Sequence, residues 1–453
     1  MSLKKSILRV FSANFLNVIS GILIGFIVPA VLSVEGYSYV KTYTFYIAYI
    51  GFLHFGFVDG MYIKYGGKEI KDIDIPQYKS EHNAFILMQS IITIIFVVIG
   101  MVERNMITFL MGISILPINT LSFHKLFYQA TGQFKEYSKV SYIYTLIYFV
   151  LNILLAIIFR SKNYVYYCLT NLIANGVVYI ALEYKFYKNT KSIKSKYTHE
   201  IWENIKIGFF VLIGNLSVML FYAMDRWFIK FFLEGNDFAY YSFAVSMLNI
   251  INLLVGAIAI TFYNYISKGE DKEKIKKFKN YLLLMGSVAS FGYFVLAIIV
   301  NVFLHKYIPA LNVISISFAS YPYVMVINAL YVNLYKARKN EKKYMVVVIG
   351  MVFVSVIYNM IAILFFKTIE SIAFATTLSF ITWYVYSIKD FNYLKPNINE
   401  IVYLTIITVS FLICSNYLNE FIGAVIYMIS MITIMFCCYK DVVVEIIKKY
   451  IRF

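Results

Sequence analysis

Asp225-Arg226, with Lys230 one helical turn on, interrupts an otherwise apolar stretch. Arg226 and Lys230 are four apart and so share one helical face. A guanidinium there grips a phosphate through two parallel hydrogen bonds, and the adjacent Asp225 partly neutralises it. Lys41, in a second apolar stretch, adds a cation suited to the same anion. Asn14 and Asn17 are three apart, as are Asn249 and Asn252. Each pair presents its amides on one face, to sugar hydroxyls or to a neighbouring helix. The predicted binding set is therefore Arg226, Lys41, Lys230, Asp225, Asn14 and Asn249, a set for an anion bearing hydroxyls. His54 and Asp59 are the ion-coupling candidates, with His54 about 22 Å into its stretch at 1.5 Å per residue. Structural alternatives stand beside each of these. Arg226 lies about 29 Å along a helix begun at Ile207, where it and Lys230 can snorkel to a membrane surface. Asp59 can cap its helix or pair with Lys64, and His124-Lys125 reads as interfacial.

The sequence supplies no reaction to go with these groups. It holds no Gly-x4-Gly-Lys-Ser/Thr loop, no His-Glu-x2-His and no paired carboxylates in a long loop. Its cysteines, Cys168, Cys414, Cys437 and Cys438, all lie in apolar stretches without metal-ligand spacing. No catalytic residue, cofactor or metal site is expected, and the chain is not read as an enzyme.

The elements that carry these residues are membrane helices. The 453-residue chain is 61% apolar and 14% charged, against about half and a quarter in soluble domains. A span needs roughly 20 apolar residues, and exposed backbone polar groups in lipid force a helix. Fourteen spans are predicted, the first Ile7–Leu32 and the last Phe421–Tyr439. The lysine-bearing start, Ser2-Leu3-Lys4-Lys5, leads into the first span without a cleavage site and reads as uncleaved. Of 41 Lys and Arg residues, only Arg104, Arg160, Lys162, Lys306 and Lys367 fall in alternate loops. Lys41, Arg226 and Lys230 fall inside spans, and the rest lie in the tails, the other loops or the span ends beside them. This asymmetry places both termini in the cytoplasm. The net charge of +17 then faces anionic lipid rather than nucleic acid.

The halves repeat. Phe127 to Tyr137 aligns with Leu334 to Tyr344 at an offset of 207, which also pairs Asn152 with Asn359 and Arg160 with Lys367. Six spans per copy make this a parallel repeat about the membrane normal. The predicted organisation is an N-lobe over 1–189, a basic cytoplasmic linker over 190–206, a C-lobe over 207–396, and two extra spans with an amphipathic tail over 397–453. On that tail Asp441, Glu445, Lys448, Lys449 and Arg452 share the charged face, the alternative being a frayed continuation of the last span. Gly21 and Gly25 are expected to mark close helix packing, and Pro29 to kink the first span.

Three segments together resemble a known family. Gly51 to Tyr65 is similar to the end of the second span in polysaccharide exporters, and Phe127 to Tyr137 to their loop after the fourth. Asp225-Arg-Trp-Phe-Ile, with Gly235 and Tyr240-Tyr241-Ser-Phe-Ala244, resembles their seventh-to-eighth hairpin. The family is the O-antigen/polysaccharide flippases (Wzx type), polysaccharide transporters of the MOP (MATE-like) superfamily. The resemblance implies an all-α polytopic fold with two six-helix lobes around a cavity. It implies translocation of undecaprenyl-pyrophosphate-linked oligosaccharide, an O-antigen or capsule repeat unit for lipopolysaccharide or other polysaccharide biosynthesis. The route runs from inner to outer leaflet of a bacterial inner membrane, with anionic lipid around it. A polymerase and a chain-length regulator are the implied partners. The rivals are a MATE-like drug/ion antiporter, which needs buried acids that the spans do not display, and a membrane polysaccharide polymerase, which the short outer loops disfavour.

Overall fold

The computed structural model describes residues 3–196, 200–266, 269 and 271–451. Among them every regular element is helical. The chain forms two compact units, Met1–Leu216 and Ser217–Phe453.

The first unit begins with α1 (Leu3–Val31) and α2 (Val34–Ile47), which runs through a 3₁₀ turn into α3 (Phe57–Tyr65). Then come α4 (Ile75–Val102), α5 (Met106–Ala130), α6 (Phe134–Ile153), α7 (Tyr164–Thr190) and the first part of α8 (Glu200–Phe232). The second unit holds the rest of α8, α9 (Gly235–Ile266), α10 (Lys272–Phe303), α11 (Leu311–Phe318), α12 (Tyr321–Val326), α13 (Val332–Ala337), α14 (Glu341–Phe365), α15 (Ile369–Ser387), α16 (Ile398–Tyr417) and α17 (Glu420–Ile451). Short polar residues set the starts. Ser33, Asp74, Asn105, Asn163, Asp271, Thr368 and Asn397 each accept a backbone N–H from the first turn of the helix that follows, each cap being worth about 1 kcal/mol.

Among the described residues eleven helices are long and apolar enough to cross a membrane, and two bent pairs bring the number to as many as 13. The outer faces stay apolar: Ile91, Ile94, Ile95 and Val98 on α4, and Leu364 and Phe365 on α14, are exposed, a surface suited to lipid and not to water. The twelfth expected span, Ile372–Ser387, is a helix that is not among those that qualify. Helix α15 buries Thr377, Ser379, Trp383 and Tyr384 against its own unit, so packing rather than lipid sets its composition.

The bends lie away from Pro29, where α1 continues to Val31. The second span bends by 59° between His54 and Phe57, and the tenth by 51° between Phe318 and Tyr321. At the first bend Phe55 and Gly56 both take left-handed backbone, a conformation glycine adopts without a Cβ penalty. The bend lets α3 cross the start of α8 backbone to backbone: a Cβ on Gly208 would stand 1.8 Å from the Gly56 carbonyl oxygen. The expected contact at Gly21 and Gly25 does not form, since a Cβ at either would meet nothing within 4 Å. Helix α1 instead meets α6 through polar groups, Ser12 with the Tyr142 hydroxyl and Asn17 with Thr145.

The repeat is visible in the backbone. The offset of 207 pairs Gly132 with Lys339 and Arg160 with Lys367, and all four have positive φ. Asn152 and Asn359, the same pair in sequence, are both buried and both donate to the carbonyl four residues back. Helix α17 breaks at Tyr439, whose φ of −136° and ψ of 36° leave the helical region. Beyond it Asp441, Glu445 and Lys448 are exposed while Val442 is buried. Arg452 and the Lys449 side chain lie outside the described residues.

Candidate functional site

In the second unit, α8, α9, α11, α12 and α15 enclose a cavity of about 430 Å³, within the size range of ligand pockets. Asp225 is its buried anchor. One carboxylate oxygen accepts from the Tyr241 hydroxyl at 2.7 Å, and the other from the Arg226 backbone N–H at 2.6 Å. The Arg226 side chain folds back along its own helix: Nη2 donates to the Tyr222 carbonyl at 3.2 Å, and Nε lies 3.9 Å from Asp225 Oδ1. The Tyr222 hydroxyl donates to Asn328 Oδ1 at 2.6 Å. Asn328 sits on a π-helical turn, Ile327–Tyr331, a deviation often found at functional sites. Asn249, Asn252, Ser317, Ser320 and Thr376 add polar groups to the wall, and Val245, Leu248, Val324 and Phe380 make the rest apolar.

The structure thus brings together Arg226, Asp225 and Asn249 of the predicted set. Charged, amide and hydroxyl groups around an apolar floor can hold an anion through the guanidinium and hydroxyls through the amides. The remaining predicted residues sit elsewhere. Lys230 is one turn along α8, half-buried, with its amine 5.1 Å from the Phe238 ring centre, and it does not line this cavity. Lys41 and Asn14 belong to the first unit, Lys41 lying 5.2 Å from the Tyr37 ring centre and Asn14 exposed on α1.

His54 and Asp59 do meet, across the bend of the second span. His54 is buried, its Nδ1 accepts the Gly56 N–H at 3.1 Å, and its Nε2 faces Asp59 Oδ2 at 3.9 Å. The expected partner of Asp59 is engaged elsewhere: Lys64 reaches Glu81 at 2.5 Å, and Tyr65 donates to the other Glu81 oxygen at 2.9 Å. His124 is buried, and it shares Glu183 with His82. Buried acids, expected to be missing, are present: Glu81, Asp225 and Glu400 are all at most 6% exposed. Glu400 accepts from Tyr384 and pairs with the buried Lys279. Glu81 and Glu400 escaped notice because each lies near a span end, where a charge reads as solvated until its partner from a distant helix is known. Tyr222 and Tyr241 were missed for another reason: 42 tyrosines leave no single one conspicuous.

No protein-family model and no curated protein matches the chain. Among solved structures it is similar to the lipid II flippase MurJ in its inward closed conformation, with a TM-score of 0.67 and 16% identity over 96% of this chain and 99% of that one. A MATE protein in complex with Br-NRF gives a TM-score of 0.46 at 10% identity, covering 86% of this chain and 96% of that one. A mutant of the Vibrio cholerae MATE transporter VcmN gives 0.41 at 11%, covering 86% and 99%. The first likeness runs through nearly the whole of both chains and shows a shared fold: the protein is an all-α, polytopic membrane protein.

Proposed function

We propose that the protein is a flippase for a lipid-linked anionic saccharide, of the undecaprenyl-pyrophosphate-linked oligosaccharide type. The observation that carries this is Arg226, a guanidinium held at a polar cavity inside a fold whose outer faces are apolar. The likeness in fold to a lipid II flippase over nearly the whole chain supports it. The physical task is to carry a sugar and a pyrophosphate past hydrocarbon while the polyprenyl tail stays in lipid. A cation and a few amides in a cavity lower the cost of that passage, since an uncompensated charge in the bilayer is expensive. Rocking of two repeat lobes, 1–189 and 207–396, about the linker 190–206 gives alternating access. Arg226 grips the pyrophosphate, Asp225 and Tyr241 orient the helix turn that presents it, and Asn249 meets saccharide hydroxyls. Lys41, Lys230 and Asn14 extend the polar route, and His54 with Asp59 couples the bend of the second span to an ion. The setting is a bacterial inner membrane with both termini cytoplasmic, and a polymerase with its chain-length regulator takes the delivered unit.

The test is reconstitution. Purified protein in vesicles carrying a fluorescent undecaprenyl-pyrophosphate-linked oligosaccharide on one leaflet should expose it on the other, as read by a membrane-impermeant quencher. Vesicles in which exposure is no faster than in protein-free controls would refute the proposal. Asp225, an acid buried at the cavity, favours one second reading, an ion-coupled exporter. That reading requires a cationic drug to move against its gradient when a proton or sodium gradient is imposed.

A further inference from the structure

Three helices of the first unit bring His82 (α4), His124 (α5) and Glu183 (α7) to one point. Each histidine donates its Nε2–H to the same oxygen, Glu183 Oε1, and both distances are 2.9 Å. The three donor atoms lie within 4.8 Å of one another. Both histidines are 3% exposed. Phe186 packs on the His82 ring with centroids 3.9 Å apart and lies 5.9 Å from the His124 ring, while Phe123 flanks both. Nearby charges are already engaged: Glu81 holds Lys64 and Tyr65, and Lys185 holds Glu136.

We propose that His82, His124 and Glu183 form a binding site for a divalent transition metal, with Zn²⁺ as the best fit. Two imidazoles and one carboxylate are a zinc donor set, and Zn–N and Zn–O bonds of about 2.0–2.2 Å place donors roughly 3.4 Å apart. Convergence of both Nε2 atoms on one oxygen brings the donors close to that spacing before any ion arrives. Magnesium and calcium prefer all-oxygen shells and are excluded by the imidazoles. On binding, each neutral histidine gives up its Nε2 proton and takes one up at Nδ1, so that the ion takes two neutral imidazole lone pairs and one carboxylate oxygen, and a water completes the tetrahedron. His82 Nδ1 has no hydrogen-bond partner. A missing outer partner costs roughly 10–100-fold in affinity, so the site binds its metal less tightly than one whose two imidazoles are both backed. The ion ties the ends of α4, α5 and α7 together, beside the basic stretch that follows α7. This inference is independent of the flippase proposal.

The experiment uses the full chain in detergent. The protein is stripped with chelator, loaded with Zn²⁺, desalted and analysed for metal. About one retained equivalent is expected, with a raised thermal midpoint, and Co²⁺ loading should give the visible bands of a tetrahedral site. Glu183→Gln and His124→Gln should each lose the retained ion while eluting as monodisperse protein. If either variant fails to fold, the wild-type Co²⁺ spectrum decides alone. No retained equivalent, an octahedral Co²⁺ spectrum, or undiminished metal in Glu183→Gln would overturn the proposal.

Discussion

The two units treat buried charge differently. In the first unit the charged groups close on one another: Glu81 takes Lys64 and Tyr65, Glu183 takes His82 and His124, and aromatic rings fill the space around them. In the second unit one cluster is closed in the same way, with Lys279 donating to Glu400 at 2.6 Å and to the Leu394 carbonyl at 2.8 Å. A second cluster, Asp225 with Arg226 and Tyr241, is at a cavity wall, and the arginine side chain keeps 24% exposure. The difference separates two uses of the same residues. A charge whose partners are all protein groups fixes helices in place. A charge at a cavity wall lies where a ligand can reach it.

The comparison breaks most visibly at Lys279. Lys279→Met leaves Glu400 buried without its cation, a loss of about 3–5 kcal/mol for such pairs. Expected is a collapse of the monodisperse peak in size-exclusion chromatography, with Lys279→Met/Glu400→Gln recovering part of it. Normal elution of the single variant would mean that the closed clusters carry little stability. Next in size is Gly208→Ala, which drives a methyl into the Gly56 carbonyl and should cost about 1–3 kcal/mol as overpacking does. Gly21→Ala, with open space around it, should leave the thermal midpoint unchanged or raise it slightly. Equal midpoints for the two alanine variants would contradict the crossing of α3 and α8. Asp225→Asn acts on transport and not on stability, since it keeps an acceptor for Tyr241 and removes a charge beside Arg226. Transport should slow severalfold with elution unchanged, and complete loss would make Asp225 a coupling group rather than an orienting one.

Much of the fold was legible because hydropathy reports lipid contact directly. Every predicted span falls on a helix or a bent pair, and the offset of 207 that aligned Arg160 with Lys367 also aligns their positive φ angles. The bends were not legible. Pro29 carries the usual local signal, yet the chain turns at His54–Gly56, where the close approach of Gly208 shapes the path. Within the site, Asp225, Arg226 and Asn249 stood out as polar groups on apolar helices. The metal-site residues did not, because His82, His124 and Glu183 come from three helices and no spacing in sequence joins them.

The central claim is that Arg226 offers its charge to the substrate, and the direct measurement is flipping by Arg226 variants in vesicles. Wild type, Arg226→Ala and Arg226→Lys are reconstituted at equal density with undecaprenyl-pyrophosphate-linked oligosaccharide, and the rate of leaflet exchange is read by quenching. The account predicts that alanine abolishes exchange and that lysine keeps a fraction of it, since charge survives while the two-pronged grip is lost. All three should elute alike. An alanine variant that flips at the wild-type rate would contradict the account and leave Arg226 as a residue that serves only the packing of α8.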